Sequence, residues 1–219
     1  MGDQRFSGDE ISTMGLDDWR AILGALQARF LTGRFDVGLT LVQRIAAAAE
    51  EMNHHPDLDL RYPHLNVRLM SHDVNGMTQR DVDLARRISA MAADLGVRAD
   101  PAAVSRVEIA LDTWDAAAIK PFWAAVLGLA ESPDYPMDLF DPSGDLPPLW
   151  FQETDRHEEP RQRFHLDITV PPEVATQRIA AAVAAGGTVV DDEVAPRFVV
   201  LADPQGNKVC VCTHVGRSA

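Results

Sequence analysis

Four of the seven histidines, His54, His55, His64 and His72, fall between Glu50 and Asp81, in the stretch EEMNHHPDLDLRYPHLNVRLMSHDVNGMTQRD. Glu50, Asp57, Asp59, Asp73 and Asp81 lie among them. An imidazole has an unperturbed pKa of about 6.5, so several around one pocket suit proton transfer to and from a substrate. The same residue type suits zinc, which wants three or four converging ligands. Neighbouring side chains in extended chain face opposite ways, so His54 and His55 do not converge easily on one ion. Surface or helix-capping histidines are the third reading. Spacing alone leaves all three open.

The surrounding periodicity shows what must position these groups. From Asp36 to Met52 the apolar residues Val37, Leu41, Ile45, Ala48 and Met52 step by three or four, which predicts an amphipathic helix with Asp36 as its N-cap. That helix must stop near His54, because Pro56 pushes His55 out of the α region. Leu65, Val67 and Leu69 alternate with Asn66, Arg68 and Met70, predicting a strand from His64 to Ser71 that ends at His72. Asn75-Gly76 marks a turn, and Thr78 caps a helix through Leu95 with Val82, Ala85, Ile88, Met91 and Leu95 inward. Asp81, three residues after Thr78, can close a capping box or support catalysis. Upstream, residues 1 to 10 read as loose polar chain, Ser12 to Gly24 as a short helix, and Leu26 to Leu31 as a strand closed by Thr32-Gly33.

Glu50-(x3)-His54-His55-Pro56, followed by Tyr62, His72 and Asp81, resembles the pterin-4a-carbinolamine dehydratases over roughly residues 12 to 95. The HHP, SHD and G-x-T-x-x-D elements stand at that family's spacing. The resemblance implies elimination of water from a 4a-hydroxytetrahydropterin to give the quinonoid dihydropterin, with His54 and His72 as the proton-transfer pair and His55 orienting the ring. It further implies that Glu50, Ser71 and Asp81 bind substrate, that neither metal nor cofactor is needed, and that the chain forms a homo-oligomer. Ser71 stands where the family often has Thr, and Asn75 where it commonly has Gly; Asn tolerates the positive φ such a turn requires. Trp19 reads as core or as the family's pterin-wall tryptophan, and His64 as a surface histidine.

Gly96 to Ala103 reads as a linker, and beyond it a pattern repeats. Val104 to Leu111 is a predicted strand, Trp114 to Leu127 a helix, and Leu149 to Glu153 a strand. Then come Phe164 to Val170 as strand, Glu173 to Ala185 as helix, Phe198 to Ala202 as strand, a DPQGN turn, and Lys208 to Thr213 as strand. The repeat resembles the glyoxalase-like domains of the vicinal-oxygen-chelate superfamily over residues 104 to 213. Such domains build a cupped sheet from paired βαβββ modules, and their active members hold a divalent metal on inward strand positions. Here the resemblance leaves His165 as one clear ligand, with Arg106 and Glu108 near the first-strand site, Gln152 or Glu153 on the next strand, and Cys210 at the last-strand glutamate position. So sparse a set predicts no functional metal, and a binding or assembly module for an unknown small ligand.

Composition bounds the rest. The chain has 219 residues and a formal net charge of -13, with 11 Lys+Arg against 15 Asp+Glu in residues 1 to 100 and 9 against 18 thereafter. Neither half attracts phosphate backbones or anionic lipid, which disfavours nucleic acid and membrane as partners. The two cysteines, Cys210 and Cys212, predict no disulfide framework, and the N-terminal residues do not read as a signal segment, so a cytoplasmic protein is expected. The expectation is an α+β chain: a dehydratase-like domain over residues 1–98, a small antiparallel sheet with helices packed on it, and a βαβββ-repeat glyoxalase-like domain over residues 104–219. Two rivals stand beside it: a non-catalytic binding or dimerisation module, and a metal-dependent glyoxalase or dioxygenase relative.

Overall fold

Residues 4–117, 119–120, 124, 129–156, 164–184, 186–202 and 208–217 are described in the computed structural model of the chain. They divide into two units. The first comprises the described residues within Met1–Ser105, joined by Val170–Val174 and Thr213–Ala219; the second comprises those within Arg106–Thr169 and Ala175–Cys212.

In the first unit the strands β1 (Arg20–Ile22), β2 (Ala25–Leu31), β3 (Asp57–Arg61) and β4 (His64–Leu69) pair antiparallel in the order β1-β2-β4-β3. β4 shows the period that sets its faces: Leu65, Val67 and Leu69 are buried, while His64, Asn66 and Arg68 are half-buried. The helices α2 (Phe35–Met52) and α3 (Gln79–Asp94) contribute Leu41, Ile45 and Ala48, and Val82, Ala85, Ile88 and Ala92, to one buried cluster with Leu26, Ala28 and Phe30 of β2. Each fully buried Leu, Ile or Phe there is worth about 1.5–3 kcal/mol.

The first unit departs from the expected elements in four places. Ser12 to Gly24 is not a helix: α1 (Gly8–Ser12) precedes it, closed by a capping box between Ser7 and Glu10, and the rest runs into β1. Leu23 (φ 49°) and Gly24 (φ 71°) form a two-residue turn between β1 and β2, with Ile22 paired to Ala25. Gly24 therefore uses its positive φ in a hairpin, not at a helix end. Arg34, not Asp36, is the N-cap of α2, and it makes no capping bond; Asp36 sits in the first turn and pairs with Arg34. β3 is an additional edge strand whose Asp57 and Asp59 obscure the Leu58 and Leu60 alternation. The expected linker is built into the first unit: β5 (Arg98–Ala99) joins β2 at Phe30 and Leu31, and the Asp100 N–H donates to the Arg29 carbonyl at 2.7 Å.

The second unit is one eight-stranded sheet, ordered β11-β12-β13-β10-β6-β9-β8-β7. Its strands are β6 (Arg106–Thr113), β7 (Ala130–Glu131), β8 (Asp138–Phe140), β9 (Leu149–Glu153), β10 (Phe164–Thr169), β11 (Thr188–Asp191), β12 (Phe198–Ala202) and β13 (Lys208–Cys212). β6 runs parallel to β9 and β10 parallel to β13, while β6 and β10 meet antiparallel, so two modules abut through their first strands. The helix α4 (Pro172–Ala184) links β10 to β11. The helix expected over Trp114 to Leu127 falls largely outside the described residues, and so does the DPQGN turn. One face of the sheet buries Leu111, Leu139, Leu149 and Phe151. The other carries Glu108, Asp112, His165, Asp167 and Cys210, since residues opposed in a ladder share a face. Cys210 and Cys212, two apart in β13, lie on that same face, buried and without a disulfide.

Candidate active site

The end of α2 sets the site. Asn53 adopts the left-handed conformation (φ 48°), and the His54 N–H bonds back to the Ala49 carbonyl at 3.1 Å, so the chain turns sharply and drives His54 inward. His54 is only 5% exposed, and its Nε2 lies 2.7 Å from Asp81 Oδ1. Asp81 is fully buried in the first turn of α3. Its Oδ2 accepts from Ser71 Oγ (2.7 Å), from the Thr78 N–H (2.8 Å) and from Thr78 Oγ1 (3.3 Å). The capping box and the histidine contact are thus one carboxylate, using both oxygens. A carboxylate so surrounded fixes the ring opposite it, and with Nε2 committed to Asp81 it is His54 Nδ1 that remains for chemistry.

A cavity of about 460 Å³ opens beside it, lined by Asn53, His54, His55, Pro56, Asp57, His72, Asp73 and Arg80. That volume lies in the range of small-molecule sites. His72 stands in a short 3-10 turn (His72–Val74) after β4, exposed at the cavity. Asn75 takes up the left-handed conformation (φ 47°) expected of a Gly substitute there. Arg80 donates to Asp73 at 2.6 Å, and this bond holds the Asp73 carboxyl below its ordinary range.

The three predicted catalytic histidines all line the cavity, whereas the three predicted substrate-binding residues do not. Ser71 and Asp81 are buried behind His54, and Glu50, 80% exposed, lies 3.1 Å from His55 Nε2 through Oε1. Trp19 is core: 2% exposed, donating to Ser89 Oγ at 3.0 Å and packed edge-on against Phe30. His64 lies at the start of β4, with burial pushing its pKa below the usual value. Asp73 and Arg80 were missed as cavity residues. Their signal was available: they flank the Asn75-Gly76 turn that returns the chain to His54.

On the second unit's polar face, His165, Asp167 and Cys210 offer ligand atoms that all lie within 4.8 Å of one another. His165 Nδ1 is 3.3 Å from Asp112 Oδ1 and Nε2 is 3.5 Å from Asp167 Oδ1. Both carboxylate oxygens are buried without a hydrogen bond. Of the other expected ligands, Glu153 is on the opposite face of β9, paired with Thr113, and the Gln152 side chain donates to the Glu153 carbonyl. Asp167 was overlooked, although the period of two places it beside His165.

Two family profiles match the chain: Pterin 4 alpha carbinolamine dehydratase over residues 4–91 and Glyoxalase-like domain over residues 108–212. A Nocardia farcinica protein, provisionally named pterin-4-alpha-carbinolamine dehydratase, is 35% identical over 94 residues, which is 42% of this chain and 99% of that relative. Among solved structures, the transcriptional coactivator/pterin dehydratase from Brucella melitensis is 28% identical, covers 41% of this chain and 99% of its own, and has a TM-score of 0.39. A glyoxalase/bleomycin resistance protein/dioxygenase superfamily member from Vibrio splendidus is 18% identical, covers 50% and 99%, and has a TM-score of 0.34. The chain is thus a fusion of mixed helix and sheet. It belongs to the pterin-4-alpha-carbinolamine dehydratase family through its first unit and carries a glyoxalase-like domain in its second, as both sequence resemblances implied. Among the described residues, no helix is long and apolar enough to cross a membrane.

Proposed function

We propose that the first unit eliminates water from a 4a-hydroxytetrahydropterin to give the quinonoid dihydropterin. The carbon–oxygen bond at C4a breaks, the departing oxygen takes a proton to leave as water, and N5 gives up its proton as the new double bond forms. One acid and one base must therefore flank the ring. His54 is the base: its Nε2–H donates to Asp81, which leaves the Nδ1 lone pair to accept the N5 proton. His72, exposed at the cavity, is the acid that protonates the departing hydroxyl. His55, oriented by Glu50, packs the ring between them. Ser71, Thr78 and Asp81 are positioning residues that act through His54, in place of the substrate-binding role the motif implies for Ser71 and Asp81.

The observation that carries this reading is the buried Asp81 carboxylate that holds His54 at the wall of a cavity shared with His55 and His72. The test is dehydration of a chemically generated 4a-hydroxytetrahydropterin followed by ultraviolet absorbance. His54→Ala and His72→Ala should each slow it by about a hundredfold or more while circular dichroism stays unchanged. Near-normal rates in both folded variants would sink the assignment.

A further inference from the structure

We infer that Asp73 and Arg80 read the 2-amino-4-oxopyrimidine edge of the substrate, with Asp73 accepting from N3–H and the 2-amino group while Arg80 donates to O4. The inference rests on the dehydratase reading and names the residues that select a pterin at that site.

The motive is a shortfall in the cavity. Its histidines supply the acid, the base and the packing of the ring, and leave the pyrimidine edge unread. Glu50, Ser71 and Asp81, the expected binders, do not line it. A site tells one flat heterocycle from another by a few placed polar groups, because a donor or acceptor that meets the wrong partner is costly to bury. Among the described residues, the charged groups besides the histidines that line the cavity are Asp57, Asp73 and Arg80.

The order of donors and acceptors chooses among them. The pterin edge presents two donors, the 2-amino group and N3–H, and then one acceptor, O4. Its complement is two acceptors and then one donor. Asp73 and Arg80 supply that array: Asp73 Oδ1 accepts from Arg80 Nη2 at 2.6 Å, so a carboxylate and a guanidinium stand side by side. A carboxylate oxygen can accept more than one donor, and a guanidinium carries several in a planar fork, so their mutual bond exhausts neither. The Arg80 bond holds the Asp73 carboxyl below its ordinary range, so at neutral pH both of its oxygens accept. Asp57 is held by Arg68 at 2.7 Å, and Arg68 does not line the cavity, so that carboxylate lacks the neighbouring donor.

Position agrees with chemistry. O4 stands beside N5 on the fused ring, so the group that reads O4 must neighbour the base that takes the N5 proton. Arg80 directly precedes Asp81, which holds that base, His54, from the first turn of α3. Asp73 directly follows His72, the acid, in its 3-10 turn. The two side chains are 63% and 34% exposed, for Asp73 and Arg80 in turn, so a ring entering the cavity can reach both.

The test is calorimetric titration of the full-length chain with 6-methyl-7,8-dihydropterin, which has no 4a-hydroxyl to lose, and with 6-methyl-7,8-dihydrolumazine, whose 2-oxo group turns a donor into an acceptor facing Asp73. The wild-type chain should bind the dihydropterin about tenfold tighter or more. Asp73→Asn, whose amide has one acceptor oxygen, should weaken the dihydropterin about tenfold and bring the two ligands within about threefold of each other. Arg80→Lys keeps the charge and loses the fork; it should weaken both ligands alike, since both carry O4. In the dehydration assay Asp73→Asn should raise KM while kcat stays within about threefold. A merely structural ion pair would weaken both ligands in Asp73→Asn without moving their ratio. That result in a folded variant, or a wild-type chain that binds both ligands equally, would overturn the inference and leave the dehydratase reading standing. A wild-type chain that binds neither would overturn both.

Discussion

Asp81 shows how much one side chain can be asked to do. Its Oδ2 closes the N-terminus of α3 through Thr78, takes the Ser71 hydroxyl, and leaves Oδ1 for His54. The sequence left both a capping and a catalytic reading open to it, and the cap and the His54 contact coexist because each uses its own oxygen. Asp81→Ala strands the His54, Ser71 and Thr78 donors in a buried site, so a loss of about 3 kcal/mol is expected in denaturant titration. Asp81→Asn keeps the volume but offers one acceptor oxygen where two are used. The substitution should lower kcat at least tenfold while KM barely moves, because Asp81 acts through His54 and does not line the cavity. Ser71→Ala removes one of those bonds and should cost about 1 kcal/mol; Ser71→Thr restores the hydroxyl and should recover both stability and rate. A Ser71→Ala chain with raised KM and unchanged kcat would instead place Ser71 on the substrate.

The elements legible in advance were those with a long period. α2 and α3 run for 18 and 16 residues, so their apolar stripes outvote any local accident, and both begin and end within about two residues of expectation. β2 and β4 were legible by alternation, of Leu26, Ala28 and Phe30 in one and of Leu65, Val67 and Leu69 in the other. α1 and β1 were not, because at 5 and 3 residues neither completes a period. Their placement depends on tertiary partners: Gly8 lies under His214, and a Cβ added there would meet the ring's Cδ2 at 2.8 Å. Burial pushes the His214 pKa below its usual value, against weaker opposition from Asp9 and Glu173. For a base with a depressed folded pKa the unfolded chain takes the proton first. The contribution is therefore intact above about pH 6.5 and is lost as pH falls through the lower folded value. Urea midpoints should fall between pH 7.5 and 5.5, and His214→Gln should flatten that slope. An unchanged slope would mean the tail does not sense the titration.

At the scale of the whole molecule, the two families meet in one chain, but the boundary is not a single cut. Val170–Val174 and Thr213–Ala219 cluster with the first unit, where Glu173 accepts from Arg20 Nε at 2.6 Å. A linear linker, which is what a sequence pattern can suggest, could not reveal such late returns of the chain. Residues 1–105 alone keep α2, α3 and the sheet through β5, so that fragment should fold and dehydrate pterin, with its midpoint lowered by the missing segments. The second unit should be dispensable for that reaction in the same sense. The proton transfer proposed for His54 and His72 calls on no ion, while the His165 cluster lies in the other unit. Chelator treatment of the intact chain should therefore leave the dehydration rate within about twofold, and so should His165→Ala. A dehydration rate that falls on chelation would make an ion part of the first reaction, and the histidine pair alone would no longer account for it.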